Sequence, residues 1–256
     1  MSTALAAVNP GGDADVAAVG ALIGDPSRAK VLMALLDGRS LAASVLAAEA
    51  GVSASTISEH LSRLVDAGLL TSSRQGRSRF FRIARPDVAE ALEAIARIAP
   101  PEPIRSLRQG THAHALRQAR TCYNHVAGRL GVALMSGLLD RGLLCGGDGL
   151  HHPEKAVADR LSAPGKALEY GLTARGVREL EDFGIDLAAV SRRTPAIRYC
   201  LDWSEQRHHL AGPLGTAVTD RLFELDWIRR GRARAVTLTA AGEAGLPRVF
   251  GVKLAA

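Results

Sequence analysis

Residues 53–83 read SASTISEHLSRLVDAGLLTSSRQGRSRFFRI, and their reading decides the fold. Ser53 places a side-chain acceptor where a helix would begin. Ile57, Leu61, Leu64 and Val65 then recur at three- and four-residue spacings, one apolar stripe of a helix over 54–67. Gly68 follows as the stop, since glycine enters the left-handed region without penalty. Residues 69–74 and 78–83 read as two strands joined through Gln75-Gly76-Arg77, a hairpin. Between His60 and Arg85 the chain carries six arginines against one acid, Asp66, so the hairpin is strongly basic.

Working outward, Asp25 is a helix cap with Pro26 at the first helical position. The helix carries Val31, Leu32, Leu35 and Leu36 and stops at Gly38. Residues 41–50 read as a short helix ended by Gly51. An earlier helical period starts at Asp15 (Val16, Val19, Leu22, Ile23), and a later one at Asp87 (Val88, Leu92, Ile95, Ile98) is broken by Pro100-Pro101-Glu102-Pro103. Helix, helix, turn, helix and arginine-rich hairpin predict a winged helix-turn-helix over residues 15–99, behind a disordered tail of 1–14.

Composition sets the outer limits. The 256 residues are 47% apolar and 4% aromatic, with 32 Lys+Arg against 26 Asp+Glu, a net charge of +6. This suits helices packed through small residues, and a polyanion partner. Three cysteines make no disulfide framework. The start of the chain lacks the basic and apolar regions of a signal peptide, and no apolar run approaches the roughly 18–20 residues of a membrane span. A cytoplasmic protein with no membrane partner is expected.

Beyond a linker at 100–120, residues 121–256 hold an internal repeat. His125-Val-Ala-Gly-Arg-Leu-Gly matches His209-Leu-Ala-Gly-Pro-Leu-Gly at an offset of 84. Leu172-Thr-Ala-Arg-Gly matches Leu238-Thr-Ala-Ala-Gly at an offset of 66, which leaves about 18 extra residues in the first copy, around 145–166. The copies, 121–190 and 198–250, each suggest a degenerate winged helix. The whole fold is therefore expected to be mostly α with small β wings: a winged helix-turn-helix domain followed by a tandem of winged-helix-like halves.

A major groove admits one helix, read by short polar side chains and arginine on its exposed face. Opposite the apolar stripe lie Ser53, Ser55, Thr56, Ser58, Glu59, His60 and Arg63, with His60 and Arg63 suited to purine acceptors. Arg74, Arg77, Arg79 and Arg82 of the hairpin would meet phosphates. A solvated polar helix and a charged sheet edge is the plainer reading of the same residues. Arg229 to Arg234 is likewise either a second DNA contact or a solvated hairpin.

Gly24-Asp25-Pro26-Ser27-Arg28, Val31-Leu32, Leu35-Leu36, Ser53 through Leu64, Ala67-Gly68-Leu69-Leu70 and Gly76-Arg77 together resemble the ArsR-type winged-helix repressors. The resemblance covers roughly residues 15–99. It implies a homodimer built on helices near 15–23 and 87–98, bound to an operator on double-stranded DNA and released by a small effector, often a metal ion. The chain departs from that pattern in two places. Residues 40–60 hold no cysteine, and residues 87–98 hold Asp87, Glu90 and Glu93 but no histidine, so neither familiar metal site carries over.

The effector is therefore sought in the C-terminal module, among Cys122, His125, Cys145, His151, His152, Cys200, Asp202, His208 and His209. Cys122 and Cys200 each precede a copy of the His-x-Ala-Gly motif, and packing of the halves about a pseudo-twofold would bring them together. With Cys145 they would make a three-thiolate site for a soft ion such as cadmium, lead, arsenite or zinc. Redox sensing by Cys122 and Cys200, and an organic inducer near Trp203, Trp227, Tyr123 and Tyr199, are the alternatives, while the histidines and Gly128, Gly131, Gly212 and Gly215 suit close packing. A methyltransferase would need a glycine-rich loop opening a helix, and Gly146-Gly-Asp-Gly149 has no helix pattern after it. No enzyme is expected.

Overall fold

In a computed structural model, which describes residues 13–152, 169–192 and 196–254, the chain forms two compact units, Met1–Leu92 and Glu93–Ala256. Residues 1–12 of the expected tail, 1–14, and most of the extra stretch near 145–166 lie outside the described residues.

The first unit is set by its caps. Asp15 accepts from the Ala18 backbone N–H and opens α1 (Val16–Ile23); Asp25 accepts from the Ser27 and Arg28 N–H groups at 3.0 and 2.9 Å and opens α2 (Pro26–Leu35). Arg28, itself buried, donates from Nε to the Leu22 carbonyl at 2.7 Å and from Nη2 to the Ala21 carbonyl at 2.9 Å, satisfying the last turn of α1. A short β1 (Leu41–Ala42) leads into α3 (Ala43–Ala50), which ends where Gly51 takes φ +71°. Ser53 caps α4 (Ala54–Asp66), whose Ile57, Leu61 and Leu64 are buried with Val31, Leu32, Leu35, Leu36 and Leu46; Val65 is only half-buried.

The hairpin is β2 (Leu70–Gln75) against β3 (Ser78–Ile83), antiparallel from Leu70↔Ile83 to Gln75↔Ser78. β1 adds a third strand beyond β3, with Leu41 opposite Phe81, so residues 41–42 are not the helical turn expected of them. A two-residue strand shows no period, and its partner is forty residues away. α5 (Pro86–Ile98) begins in this unit.

The second unit takes in the end of α5, then α6 (Leu107–Gln118), which occupies most of the expected linker. Ser106 caps it, but its sequence, LRQGTHAHALRQ, has no apolar stripe and gave no periodic signal. The two copies follow with one element order. The first is β4 (Arg120–Cys122), β5 (His125–Ala127), α7 (Gly128–Asp140), β6 (Leu144–Cys145), β7 (Gly171–Leu172) and α8 (Ala174–Asp182), with a short α9 (Leu187–Ser191) added. The second is β8 (Arg198–Leu201), β9 (His208–Ala211), α10 (Gly212–Glu224), β10 (Ile228–Arg230), β11 (Val236–Leu238) and α11 (Ala240–Phe250).

Each copy is thus hairpin, helix, two-strand ladder, helix. The His-x-Ala segments are strands, because they pair with the strands before them, and the glycine that follows starts the helix. The Leu-Thr-x-x-Gly repeat has a local cause. Thr173 and Thr239 cap α8 and α11, and both hydroxyls also donate to a carbonyl of the preceding turn, Gly142 at 2.7 Å and Asp226 at 2.6 Å. A Cβ on Gly176 or Gly242 would lie 2.0 or 2.2 Å from the carbonyl oxygen of Leu143 or Trp227, so only glycine fits. One core, including Leu130, Met135, Leu138, Leu214, Leu222, Leu246 and Phe250, joins the halves. No helix of the described residues is long and apolar enough to cross a membrane.

Candidate nucleic-acid interface and candidate metal centre

The N-terminal end of α4 presents hydroxyls. Ser53 and Ser55 are exposed and Thr56 half-buried, with Ser53 Oγ 2.9 Å from both Ser55 Oγ and Thr56 Oγ1. Exposed Ser58 donates back to the Ala54 carbonyl at 2.8 Å. One turn on, Arg63 donates to Glu59 at 2.6 Å, with both side chains exposed. His60 is placed differently from its expected role. Its side chain is 14% exposed and turns toward the cap of α2, with Nε2 4.0 Å from Asp25 Oδ1. The Arg28 N–H, with the Arg28 and His60 charges, holds the Asp25 carboxyl below its ordinary range against the effect of burial.

On the wing, Arg74, Arg77, Arg79 and Arg82 are all exposed. Arg79 donates to Ser72 Oγ at 2.9 Å and lies over the Phe81 ring, and Arg82 donates to Thr71 Oγ1 at 3.3 Å, so each is braced across the hairpin against β2. Arg74 and Arg77 make no side-chain hydrogen bond or ion pair among the described residues.

The β10–β11 ladder offers less. Arg229 pairs with Asp226 and Arg230 stacks on Phe223, while Arg234 is buried, donating to Glu93 at 2.6 Å. Arg234 is therefore not a DNA contact: burial commits it to its ion pair.

The repeat brings four chemically useful side chains together. Cys122 faces His125 across β4–β5, and Cys200 faces His209 across β8–β9. Their ligand atoms, two thiol sulfurs and one ring nitrogen from each histidine, all lie within 4.8 Å of one another. Cys122, His125 and His209 are buried and Cys200 half-buried. The hydrogen bond with Cys200, burial and the Glu93 carboxylate push the Cys122 thiol well above its ordinary range. Burial and neighbouring His125 push His209 well below its own.

Asp202 buttresses the cluster, accepting from Arg120 Nη2 at 2.8 Å and from the Gly128 N–H at 2.7 Å. Burial would raise its carboxyl, but Arg120, His209 and these hydrogen bonds outweigh it and hold the group well below the carboxylate range. Cys145, expected to join the other two thiols, is exposed on β6 and bonded to the Gly171 carbonyl; its ladder partner is Gly171, which leaves it outside the group. Three of the four aromatics named for an organic inducer are taken up in packing. Trp203 lies under Arg120, Trp227 packs on Phe183, and Tyr199 stacks on His208 at 4.1 Å.

Residues 25–72 match the family described as "Bacterial regulatory protein, arsR family". The chain is also 34% identical over 242 residues to the uncharacterized HTH-type transcriptional regulator YdfF of Bacillus subtilis (strain 168), covering 94% of this chain and 99% of that protein. The chain belongs to the arsR family. The HTH-type transcriptional regulator CmtR of Mycobacterium tuberculosis (strain H37Rv) is 35% identical over 83 residues, 32% of this chain and 70% of CmtR. The solved structure of the cadmium metal-sensor CMTR from Mycobacterium tuberculosis is 32% identical, covers 36% of this chain and all of that one, and superposes with a TM-score of 0.29. The arsR family and these relatives are transcriptional regulators and not enzymes, which removes the methyltransferase alternative.

Cys122 and Cys200 were legible as thiolate ligands, whereas His125 and His209 stood in the candidate cluster without a place in the three-thiolate set, with close packing as their other use. The available signal was the repeat itself, which places a cysteine and a histidine on paired strands in each copy.

Proposed function

We propose that this arsR-family regulator is a homodimeric repressor that binds an inverted-repeat operator through α4 and the β2–β3 wing, and that an effector held by the second unit releases it. The observation carrying the reading is the joint exposure of the α4 hydroxyls, Arg63 and four wing arginines on one unit. The hydroxyls and Arg63 would read bases and nearby phosphates, and the wing would fix register on the backbone. His60, drawn toward Asp25, is left out of the base-reading set.

Dimerisation is supported by α1, in which no residue is buried although its sequence is VAAVGALI. Val19 and Ile23 also line an apolar groove of about 220 Å³ with Leu32, Leu69, Val88 and Leu92. Such a surface calls for a cover, and the symmetric answer is a second copy.

The test is fluorescence anisotropy on the DNA upstream of the gene, against random DNA of equal length and at stated salt. Specific binding that Arg63→Ala and Arg77→Ala both weaken is expected. A folded protein that binds its upstream DNA no better than random DNA overturns the reading.

A further inference from the structure

We propose that Cys122, His125, Cys200 and His209 form a four-ligand site for one divalent cation of borderline to soft character, with Zn²⁺ as its type. Two thiolates and two neutral imidazoles are a tetrahedral donor set for such ions and a poor one for Mg²⁺ or Ca²⁺, which take oxygen. Zinc bonds of about 2.3 Å to sulfur and about 2.0–2.1 Å to nitrogen put tetrahedral ligands roughly 3.3–3.8 Å apart. The four atoms already lie within 4.8 Å of one another, so closure on an ion asks about 1 Å of movement.

A second observation is independent of distance. Nε2 of His125 and both ring nitrogens of His209 are buried with no hydrogen-bond partner among the described residues. Buried polar atoms are rarely left so, and each such atom needs a reason. A lone pair directed at a metal is that reason for one nitrogen of each ring, and His209 Nδ1 faces Asp202 Oδ2 at 3.7 Å.

The repeat explains how the site is assembled. Each copy supplies one cross-strand Cys/His pair, and each histidine packs on the other copy's helix. A Cβ at Gly131 would lie 3.4 Å from His209 Cβ, and one at Gly215 would lie 3.4 Å from His125 Cβ, so each histidine sits against the matched glycine of the other copy's helix, a position kept bare by the Val126 and Leu210 carbonyl oxygens at 2.4 and 2.7 Å. Their supports match too. Asn124 Oδ1 sits 3.2 Å from His125 Nδ1, leaving Nε2 for the ion, and Asp202, 78 positions later, faces His209 Nδ1 at 3.7 Å. Carboxylates and carbonyls behind the imidazoles orient metal-binding histidines in this way. Neither copy alone holds four ligands. A trigonal three-thiolate site is not formed, because Cys145 lies outside the group.

The rival use of the same residues is a redox pair, since the Cys122 and Cys200 thiols already hydrogen-bond each other. The decisive experiment loads the full-length, reduced, metal-free protein with Co²⁺ and then displaces it with Zn²⁺. One Co²⁺ per chain, with the intense visible bands of tetrahedral coordination and near-ultraviolet thiolate charge-transfer bands, is expected. Cys145→Ser keeps this spectrum. Cys200→Ser and His209→Gln, each checked for native fold by circular dichroism, weaken Zn²⁺ binding by at least about a hundredfold, and Asn124→Ala weakens it by about tenfold through the orientation of His125. A weak octahedral Co²⁺ spectrum, a spectrum unchanged in folded Cys200→Ser, or a reduced protein that takes up no Co²⁺ while its oxidised form joins Cys122 to Cys200 overturns the site.

That occupancy also changes operator affinity rests on the proposed function, and is read separately by anisotropy with and without Zn²⁺. Loss of operator binding in both states sinks the repressor reading while the Co²⁺ spectrum still judges the site.

Discussion

Removing Arg77 should weaken DNA binding by an amount set by counterion release and not by base sequence. Arg77 lies at the tip of the β2–β3 turn, exposed and without an internal partner among the described residues, so its guanidinium is available to a phosphate. Each phosphate neutralised on B-DNA releases about 0.9 of a counterion, worth about 1 kcal/mol at 0.15 M salt. A symmetric dimer carries two wings, so Arg77→Ala should cost about 2 kcal/mol, a roughly thirtyfold weaker Kd. The slope of log K against log salt should become shallower by about 1.8. The assay is anisotropy from 50 to 300 mM salt on operator and random DNA, with unchanged thermal unfolding as control. Because the contact carries no sequence information, both DNAs should lose affinity alike. An unchanged slope, or a loss confined to the operator, would refute the phosphate assignment.

Four further outcomes follow from the geometry. Glu59→Gln releases Arg63 from an exposed pair worth only about 0.3–0.5 kcal/mol, so unfolding should barely change while anisotropy shows tighter DNA binding; weaker binding would place Glu59 itself in recognition. Val19→Asp puts a charge into the apolar groove of the first unit and should shift the protein from dimer to monomer in sedimentation, with helicity retained; an intact dimer would move the interface elsewhere. Asp202→Ala strands the fully buried Arg120 and should cost about 3–5 kcal/mol in urea unfolding followed by Trp203 and Trp227, whereas a loss below about 1 kcal/mol would show the ion pair to be dispensable. Gly242→Ala drives a Cβ against the Trp227 carbonyl and should destabilise by about 1–3 kcal/mol in the same assay, and a neutral result would mean α11 can shift without cost.

The amino-acid sequence determined whatever is decided within a turn or two of chain. Asp25 and Ser53 cap the helices they were expected to cap, and Asp15 caps the helix expected to start there, because a side-chain oxygen and an orphan N–H three residues on are enough to make a cap. Gly51, Gly68 and Gly76 take the positive φ angles their turns need. The stripe of α4, the β2–β3 hairpin and its arginines are local too, and the repeat was visible because two copies can be compared without knowing where either sits.

Tertiary structure decided everything that depends on which distant segments meet. β1 exists only because β3 lies beside it, and α6 is a helix whose sequence carries no stripe. His60 bears the right chemistry for a base, but the neighbouring cap of α2 claims it; Arg234 looks like a wing arginine, but Glu93 buries it. Three cysteines looked equivalent as thiols, and the packing of one copy on the other joined two of them to His125 and His209 while leaving Cys145 at the surface. Side-chain type and spacing specify chemistry and local shape, but a site whose ligands are 78 residues apart is specified only by the burial that brings its two halves face to face.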